Sequence, residues 1–291
     1  MTILVGDTKM KKTTIAIASG KGGTGKTTFA TNLAYVYGKP LTLLDCDVEA
    51  PNVHLFLNPK WDISLEATVL TPVVDESKCI SCGKCKSHCR FGAILILNKK
   101  VLILSELCHS CGACERICPT GALVEKPRVV GTIDKGTKDH IQVMQGKLYV
   151  GEARSSALIE QLRDSENHSE LTIIDAPPGT SCSTISAVNG VDYLVLVTEP
   201  TPLGLNDLSL SLEMAKALGL KTGVVINKAD LGSAPLKEFC ESKGVPILGE
   251  IKFSKELAKA YSQGLLITQV DQEYEKQFRM ILESILEELR K

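Results

Sequence analysis

Between Thr13 and Gly38 the chain runs from a short β-branched stretch, "TTIAIAS", through a glycine-rich turn into "KTTFATNLAYVYG", which has helical spacing. The turn, "GKGGTGKT" at Gly20–Thr27, fits G-x-x-x-x-G-K-[ST] in the setting that motif requires, with a strand before it and a helix after it. Backbone N–H groups of Gly20, Gly22, Gly23, Thr24 and Gly25 can curl around phosphate oxygens, and the helix N-terminus that opens at Lys26 adds favourable partial charge. Lys26 is placed to reach the β- and γ-phosphates, the Thr27 hydroxyl to bind Mg²⁺, and Thr28 to complete the loop's phosphate contacts. No other feature constrains the fold as strongly, because strand, loop and helix in this order open a parallel α/β sheet.

Further strands are expected at Leu41–Asp47 ("LTLLDCD"), Leu171–Gly179 ("LTIIDAPPG"), Asp192–Pro200, Lys221–Asp230 and Val245–Ile251. Helices are expected between them, at Leu203–Leu218 and Pro235–Ser242, and the tail "EYEKQFRMILESILEELRK" reads as an amphipathic packing helix. Asp175 ends an apolar strand, where an aspartate can hold Mg²⁺ through water, and Pro177-Pro178-Gly179 suits a segment that senses the γ-phosphate. Asp45 and Asp47 stand at another strand end. "NKAD" at Asn227–Asp230 resembles the guanine-reading N-K-x-D, so Asp230 is a candidate acceptor for a guanine amino group.

The sheet pattern is interrupted. Eight of the eleven cysteines fall between Cys79 and Cys118, in two runs of one spacing. The runs are Cys79-x₂-Cys82-x₂-Cys85-x₃-Cys89 and Cys108-x₂-Cys111-x₂-Cys114-x₃-Cys118-Pro119. This is the spacing of bacterial two-cluster ferredoxins, in which each fourth cysteine serves the other cluster. Cys79, Cys82, Cys85 and Cys118 are then expected to hold one [4Fe–4S] cluster, and Cys108, Cys111, Cys114 and Cys89 the second. Arg90 departs from the pattern, which has proline there. Structural zinc also uses four cysteines but has no need of the duplicated spacing, and a disulfide framework suits small secreted domains. Pro72 and Pro127 are the expected edges of this block, giving parts 1–71, 72–127 and 128–291. A hairpin leading to a helix near Ala153 is expected just after it. Cys46, Cys182 and Cys240 read as packed thiols, and the five histidines show no ligand spacing.

With 33 basic and 34 acidic residues, the chain as a whole offers nucleic acid or an anionic membrane no special attraction. No apolar run nears the roughly 20 residues that span a bilayer, and "MTILVGDTKMKK" lacks the features of a signal peptide. A cytoplasmic protein is expected, with no nucleic-acid or membrane partner. Met10 is an alternative start that would make the first nine residues dispensable.

Lys21 adds a second lysine to the loop. "KGGTGKTT", with "LLDCD", "IIDAPPGT" and "INKAD" in that order, resembles the MinD/ParA superfamily, which includes Mrp-type cluster carriers and the nitrogenase iron protein. The resemblance covers nearly all of the chain outside the cysteine block. It implies an α/β P-loop NTPase fold, with a mainly parallel sheet and helices on both faces, interrupted here by a two-cluster ferredoxin domain. It implies ATP and Mg²⁺ as ligands, with Asn227 on the adenine and Asp47 positioning the attacking water. It further implies that Lys21 reaches a partner's nucleotide in an ATP-sandwiched dimer, either a homodimer or a heterodimer with a close paralogue. The expected activity is an ATPase cycle that gates electron delivery through the two clusters to a redox partner enzyme or to a metallocofactor under assembly. A cluster scaffold or carrier, and a MinD-like positioning ATPase with structural clusters, are the alternatives. Complete ligation by eight cysteines weighs against the carrier, and no extra C-x-x-C pair of the kind that holds a labile cluster is present.

Overall fold

The computed structural model describes residues 12–166, 169–232 and 235–291. The expected alternative start at Met10 and the side chain of His168 lie outside the described residues.

The central strand, β1 (Thr13–Ala18), feeds two cores at once. Ile15 and Ile17 join one buried cluster and Ala16 and Ala18 the other, as the period of two demands when both faces are covered. α1 (Lys26–Tyr37) and β2 (Leu41–Asp45) follow, then a short α2 (Val53–Leu57) and a long β3 (Lys60–Val74). The cysteine-bearing segment holds α3 (Lys84–His88), the hairpin β4 (Ile94–Leu97) and β5 (Lys100–Ile103), and α4 (Ala113–Arg116). The chain returns through β6 (Leu123–Lys138) and β7 (Ile141–Leu148) to α5 (Ser155–Asp164), β8 (Leu171–Asp175) and α6 (Cys182–Val188). It then alternates through β9 (Tyr193–Thr198), α7 (Pro202–Ala217), β10 (Thr222–Asn227), α8 (Leu236–Lys243) and β11 (Ile247–Ile251). Three helices close it: α9 (Lys255–Ser262), α10 (Ile267–Val270) and α11 (Gln272–Arg290).

One sheet has the order β11-β10-β9-β1-β8-β2-β7-β6-β3. The pairings from β11 to β7 are parallel, and β6 and β3 are added antiparallel at the edge. Helices α1, α2, α9, α10 and α11 cover one face and α5, α6, α7 and α8 the other. The amphipathic tail is a packing helix. Phe278, Ile281, Leu282 and Ile285 are buried, the Phe278 ring lies 5.5 Å from that of Phe29, and Arg279 donates to the Val36 carbonyl at 2.8 Å. Among the described residues no helix is long and apolar enough to cross a membrane.

All the expected strands and helices form, with ends trimmed by the glycine and proline turns, and the expected hairpin is β6–β7. β3 is an addition to the strands expected from the sequence. No local pattern marks the entry of β7 into the parallel sheet, where Ile141 faces Leu41, one hundred positions earlier in the chain. Pro72 and Pro127 do not break the chain. Both lie inside the β3–β6 ribbon, where Pro72 faces Glu125 and Leu70 faces Pro127. β6 pairs with β7 only over Gly131–Lys138, so both strands have an open edge at the prolines, where a missing N–H breaks no ladder. The segment leaves the ribbon at Val74 and rejoins it at Leu123, and these two residues face one another.

Candidate nucleotide site and cysteine pockets

The glycine-rich loop leaves β1 and is braced from both sides. Ser19 Oγ donates to the Lys21 carbonyl at 2.7 Å and Asn227 Nδ2 to the Thr24 carbonyl at 2.7 Å. Gly25 has φ +91° and would place a Cβ 2.5 Å from Asn227 Nδ2, so only glycine suits both the turn and the brace. Lys26 and Thr27 begin α1 and are both buried. Thr27 Oγ1 donates to Asp175 Oδ2 at 2.5 Å, and Lys26 Nζ stands 3.9 Å from Asp175 Oδ1. Burial raises the Asp175 carboxyl, while Lys26 and the Thr27 hydroxyl pull it back down. Asp175 Oδ1 and Thr24 Oγ1 are buried without a hydrogen-bond partner among the described residues. A buried carboxylate oxygen left unpaired beside a lysine and a threonine hydroxyl suits a hydrated Mg²⁺, and the open loop amides suit the phosphates it would carry.

Asp45 and Asp47 behave differently. Asp45 is buried and accepts from the N–H groups of Asn52 at 2.8 Å, Val53 at 2.9 Å and Asp47 at 3.2 Å, which anchors the start of α2. Burial, and then Asp175 beside it, push its carboxyl up to about 8. Asp47 is half-buried and points into the shared field. Burial raises it, Lys26 lowers it, and Asp175 and Glu49 raise it again.

The pocket beside the loop is lined by Gly23, Gly25, Thr28, Asn227, Phe253 and Tyr261, among others. Asn227 lines it, but its amide is engaged by Thr24 and its Oδ1 accepts from Lys228 N at 3.0 Å. Asp230 is exposed and spends Oδ1 on the Phe253 N–H at 2.7 Å. It does not line the pocket, so its carboxylate anchors the β11–α9 connection rather than facing a base. Lys21 pairs with a residue the sequence reading passed over. Glu199, at the end of β9, holds Lys21 Nζ at 3.7 Å and Lys228 Nζ at 2.6 Å.

The eight clustered cysteines surround two separate cavities. One is lined by Cys79, Cys82, Cys85 and Cys118, the other by Cys89, Cys108, Cys111 and Cys114. The fourth cysteine of each run has crossed to the other run's cavity. The two loops repeat in backbone as well as in spacing. Ser81 and Ser110 have φ 53° and 50°, and Gly83 and Gly112 have 78° and 68°, the tight left-handed turns that place successive sulfurs around one centre. Backbone N–H groups already approach the sulfurs, Ala122 N with Cys118 Sγ at 3.2 Å and Ser110 N with Cys108 Sγ at 3.5 Å. Burial raises the Cys118 thiol, but hydrogen bonds around it prevail and hold it at about 7, whereas burial pushes Cys114 up to about 11. Among the described residues no three His, Cys, Asp or Glu side chains converge as they would on a single ion. A cubane takes its four thiolates on four irons, so its ligands encircle a volume, as these do.

A model of the CobQ/CobB/MinD/ParA nucleotide binding domain matches residues 15–267. The chain belongs to this family. Among its relatives, an uncharacterised protein of Methanocaldococcus jannaschii, MJ0578, is 37% identical over 231 residues, 77% of this chain and 82% of the relative. The iron-sulfur cluster carrier protein of that organism is 23% identical, over 94% of this chain and 84% of its own. Among solved structures, the septum site-determining protein MinD of Pyrococcus horikoshii, complexed with Mg-ADP, superimposes with a TM-score of 0.60 at 17% identity, covering 94% of this chain and 95% of that one. The family's nucleotide-binding fold therefore holds for this chain.

Within that family fold, Lys26 and Thr27 of the loop lie against Asp175, and Asp47 stands in the field of Lys26 and Asp175. Cys46 and Cys240 are buried thiols. Cys182 is not. It is exposed at the first turn of α6, just after Ser181, off the face that buries Thr184, Ala187 and Val188. A second missed set ties the cysteine segment to the family domain. Arg128 pairs with Glu152 and donates to the Ser105 carbonyl at 3.3 Å, and Arg154 donates to the Cys108 carbonyl. These arginines lie far in sequence from the backbone they hold, and no local motif marks them.

Proposed function

We propose that ATP binding and hydrolysis at the Gly20–Thr27 loop gate electron flow through two [4Fe–4S] clusters. Cys79, Cys82, Cys85 and Cys118 would hold one cluster, and Cys108, Cys111, Cys114 and Cys89 the other. Electrons would pass to a partner enzyme or to a metallocofactor under assembly. In this reading the segment 72–127 is a two-cluster ferredoxin domain inserted in the ATPase chain. Lys26, Thr27 and Asp175 hold Mg–ATP, Asp47 orients the attacking water, and Asn227 borders the adenine. Lys21 leaves Glu199 to reach the partner's nucleotide in an ATP-sandwiched dimer. The clusters supply one-electron chemistry, and the protein supplies access to them.

The observation that carries the reading is a short connection between Asp47 and one cysteine pocket. Val48 follows Asp47 directly, and its carbonyl accepts the Leu148 N–H at 2.9 Å. Leu148 ends β7, and within a few residues Glu152 and Arg154 hold Arg128 and the Cys108 carbonyl. A change at Asp47 on γ-phosphate binding has a path of hydrogen-bonded backbone and charged side chains to the second cysteine loop. Coupling of this kind requires that nucleotide favour one of two arrangements.

A second reading is favoured by the names of relatives, since one is an iron-sulfur cluster carrier protein. In that reading the clusters would be cargo, passed to an apo-protein. Anaerobic protein should contain about eight iron and eight sulfide per chain in the first reading. Reductive titration with and without ATP, alongside iron transfer to an apo-ferredoxin, separates the two. Reversible one-electron reduction with iron retained supports the gate. Loss of iron to the acceptor on ATP addition supports the carrier, and zinc without sulfide would sink both.

A further inference from the structure

The two cysteine cavities share a backbone but not their surroundings. Beside the second, the Phe91 and His109 rings stack with centroids 3.9 Å apart, and both line the cavity. Arg128 and Arg154 bind its loop to the body of the sheet. At the matching positions of the first cavity stand Thr120 and Ile80. Ile80 is 65% exposed, and Cys82 is exposed with it. Each cavity exposes one cysteine, Cys82 in the first and Cys111 in the second, and the first adds the more exposed apolar side chain, Ile80 against Phe91 at 42%.

Charge divides the same way. From Cys79 to Val101 the chain contains no Asp or Glu, while Lys84, Lys86, Arg90, Lys99 and Lys100 are all exposed. From Leu102 to Lys126, Glu106, Glu115 and Glu125 outnumber Arg116 and Lys126. Lys100 stands 3.9 Å from Glu76, but Lys84, Lys86 and Lys99 have no carboxylate partner among the described residues. Lys84 lines the first cavity, and the fold brings the Lys99 turn to the same loop. Ser81 Oγ donates to the Lys99 carbonyl, setting the β4–β5 turn against the first cysteine loop, and Ile96 lies 4.0 Å from the place of a Gly83 Cβ.

We propose that this face, with Ile80 and Cys82 at its centre and Lys84, Lys86 and Lys99 around it, docks a small acidic one-electron redox protein. The proposal rests on the reading above that Cys79, Cys82, Cys85 and Cys118 hold a [4Fe–4S] cluster. In the step, one electron leaves the reduced partner and enters that cluster. No bond forms or breaks, and no proton moves. The whole chain has a formal net charge of −1, so attraction is local to this face and acts over about one Debye length, ~8–10 Å. Such a field orients a partner and speeds its approach more than it tightens the complex.

The test uses an acidic flavodoxin as probe, basic cytochrome c as its opposite, and methyl viologen as a small reductant. Flavodoxin binding, read by flavin fluorescence, and the rate of electron transfer from its hydroquinone should each fall roughly tenfold or more from low to high salt. The triple variant Lys84→Glu, Lys86→Glu, Lys99→Glu should lose as much at low salt, while its iron content and its reduction by methyl viologen stay as in the wild type. If the triple variant fails to load iron, Lys84→Gln and Lys99→Gln should each show a smaller loss in the same direction. Binding that ignores salt and substitution, or that favours cytochrome c, overturns the proposal. Absent iron, or failure of methyl viologen to reduce the protein, instead overturns the cluster reading, and the binding measurement still decides the docking face.

Discussion

Asp45 and Asp175 end neighbouring strands and face each other in the ladder, both fully buried, with Lys26 as the cation nearest to Asp175. Two carboxylates in such a place cannot both ionise cheaply. The Asp45 value of about 8 stands above the ~3.9 of an unfolded chain, so the folded state binds this proton more tightly. Its contribution to stability is complete below about pH 4 and is lost as the pH rises to about 8. Asp45→Asn keeps an oxygen for Asn52 and Val53 and removes the titration. Without nucleotide or Mg²⁺, the variant should gain on the wild type as pH rises from about 5 to 8, by on the order of a few kcal/mol. Melting curves that stay parallel across that range would show that Asp45 is already ionised. The two loop lysines should separate cleanly. Lys26→Ala removes the cation beside Asp175 and should weaken Mg–ATP binding about tenfold or more. Lys21→Ala should leave binding nearly intact and abolish nucleotide-dependent dimerisation, as calorimetry and light scattering would record. A Lys21→Ala protein that still dimerises with ATP removes the sandwich from the proposal.

Among the elements, α11 was legible because its apolar residues recur at helical spacing, and the structure spends that face on α1. Phe278→Ala leaves a cavity against Phe29, and chemical denaturation should show a loss of about 3–5 kcal/mol. A loss under ~1 kcal/mol would mean that the helix ends collapse to fill it. β3 was not legible, although Trp61, Ile63 and Leu65 alternate with Asp62, Ser64 and Glu66. All six are exposed, so the period of two marks no core there, and within β3 only Ala67, Val69, Thr71 and Pro72 are buried. The nucleotide loop and the interleaved cysteines could be read because each is a local spacing tied to one chemistry. Glu199 could not be read. A strand-end glutamate carries no signal until the fold sets Lys21 and Lys228 on either side of it.

At the scale of the whole molecule, a change at Asp47 should reach the cysteine pockets. Asp47→Asn should bind Mg–ATP through Lys26, Thr27 and Asp175, slow hydrolysis by about 10²-fold or more, and accumulate as a closed dimer. Cluster potentials or electron-transfer rates in that trapped state should differ from those of the apo protein, and adding Arg154→Ala should shrink the difference. Identical values in trapped, ADP-bound and apo protein would make the segment a passenger. The β3–β6 ribbon has a consequence of another sort. Val74 and Leu123 face one another where the chain departs and returns, and Asp75 N donates to the Ala122 carbonyl at 2.7 Å just beyond them. To the sheet, everything from Asp75 to Ala122 is therefore a hairpin loop, and loop-closure entropy rises only about 0.6 kcal/mol for each doubling of loop length. Replacing that stretch with Asn-Gly should yield a chain that folds and binds nucleotide, and a foreign module whose ends lie equally close should be accepted in its place. The sheet holds its cysteine segment as a socket holds a cartridge.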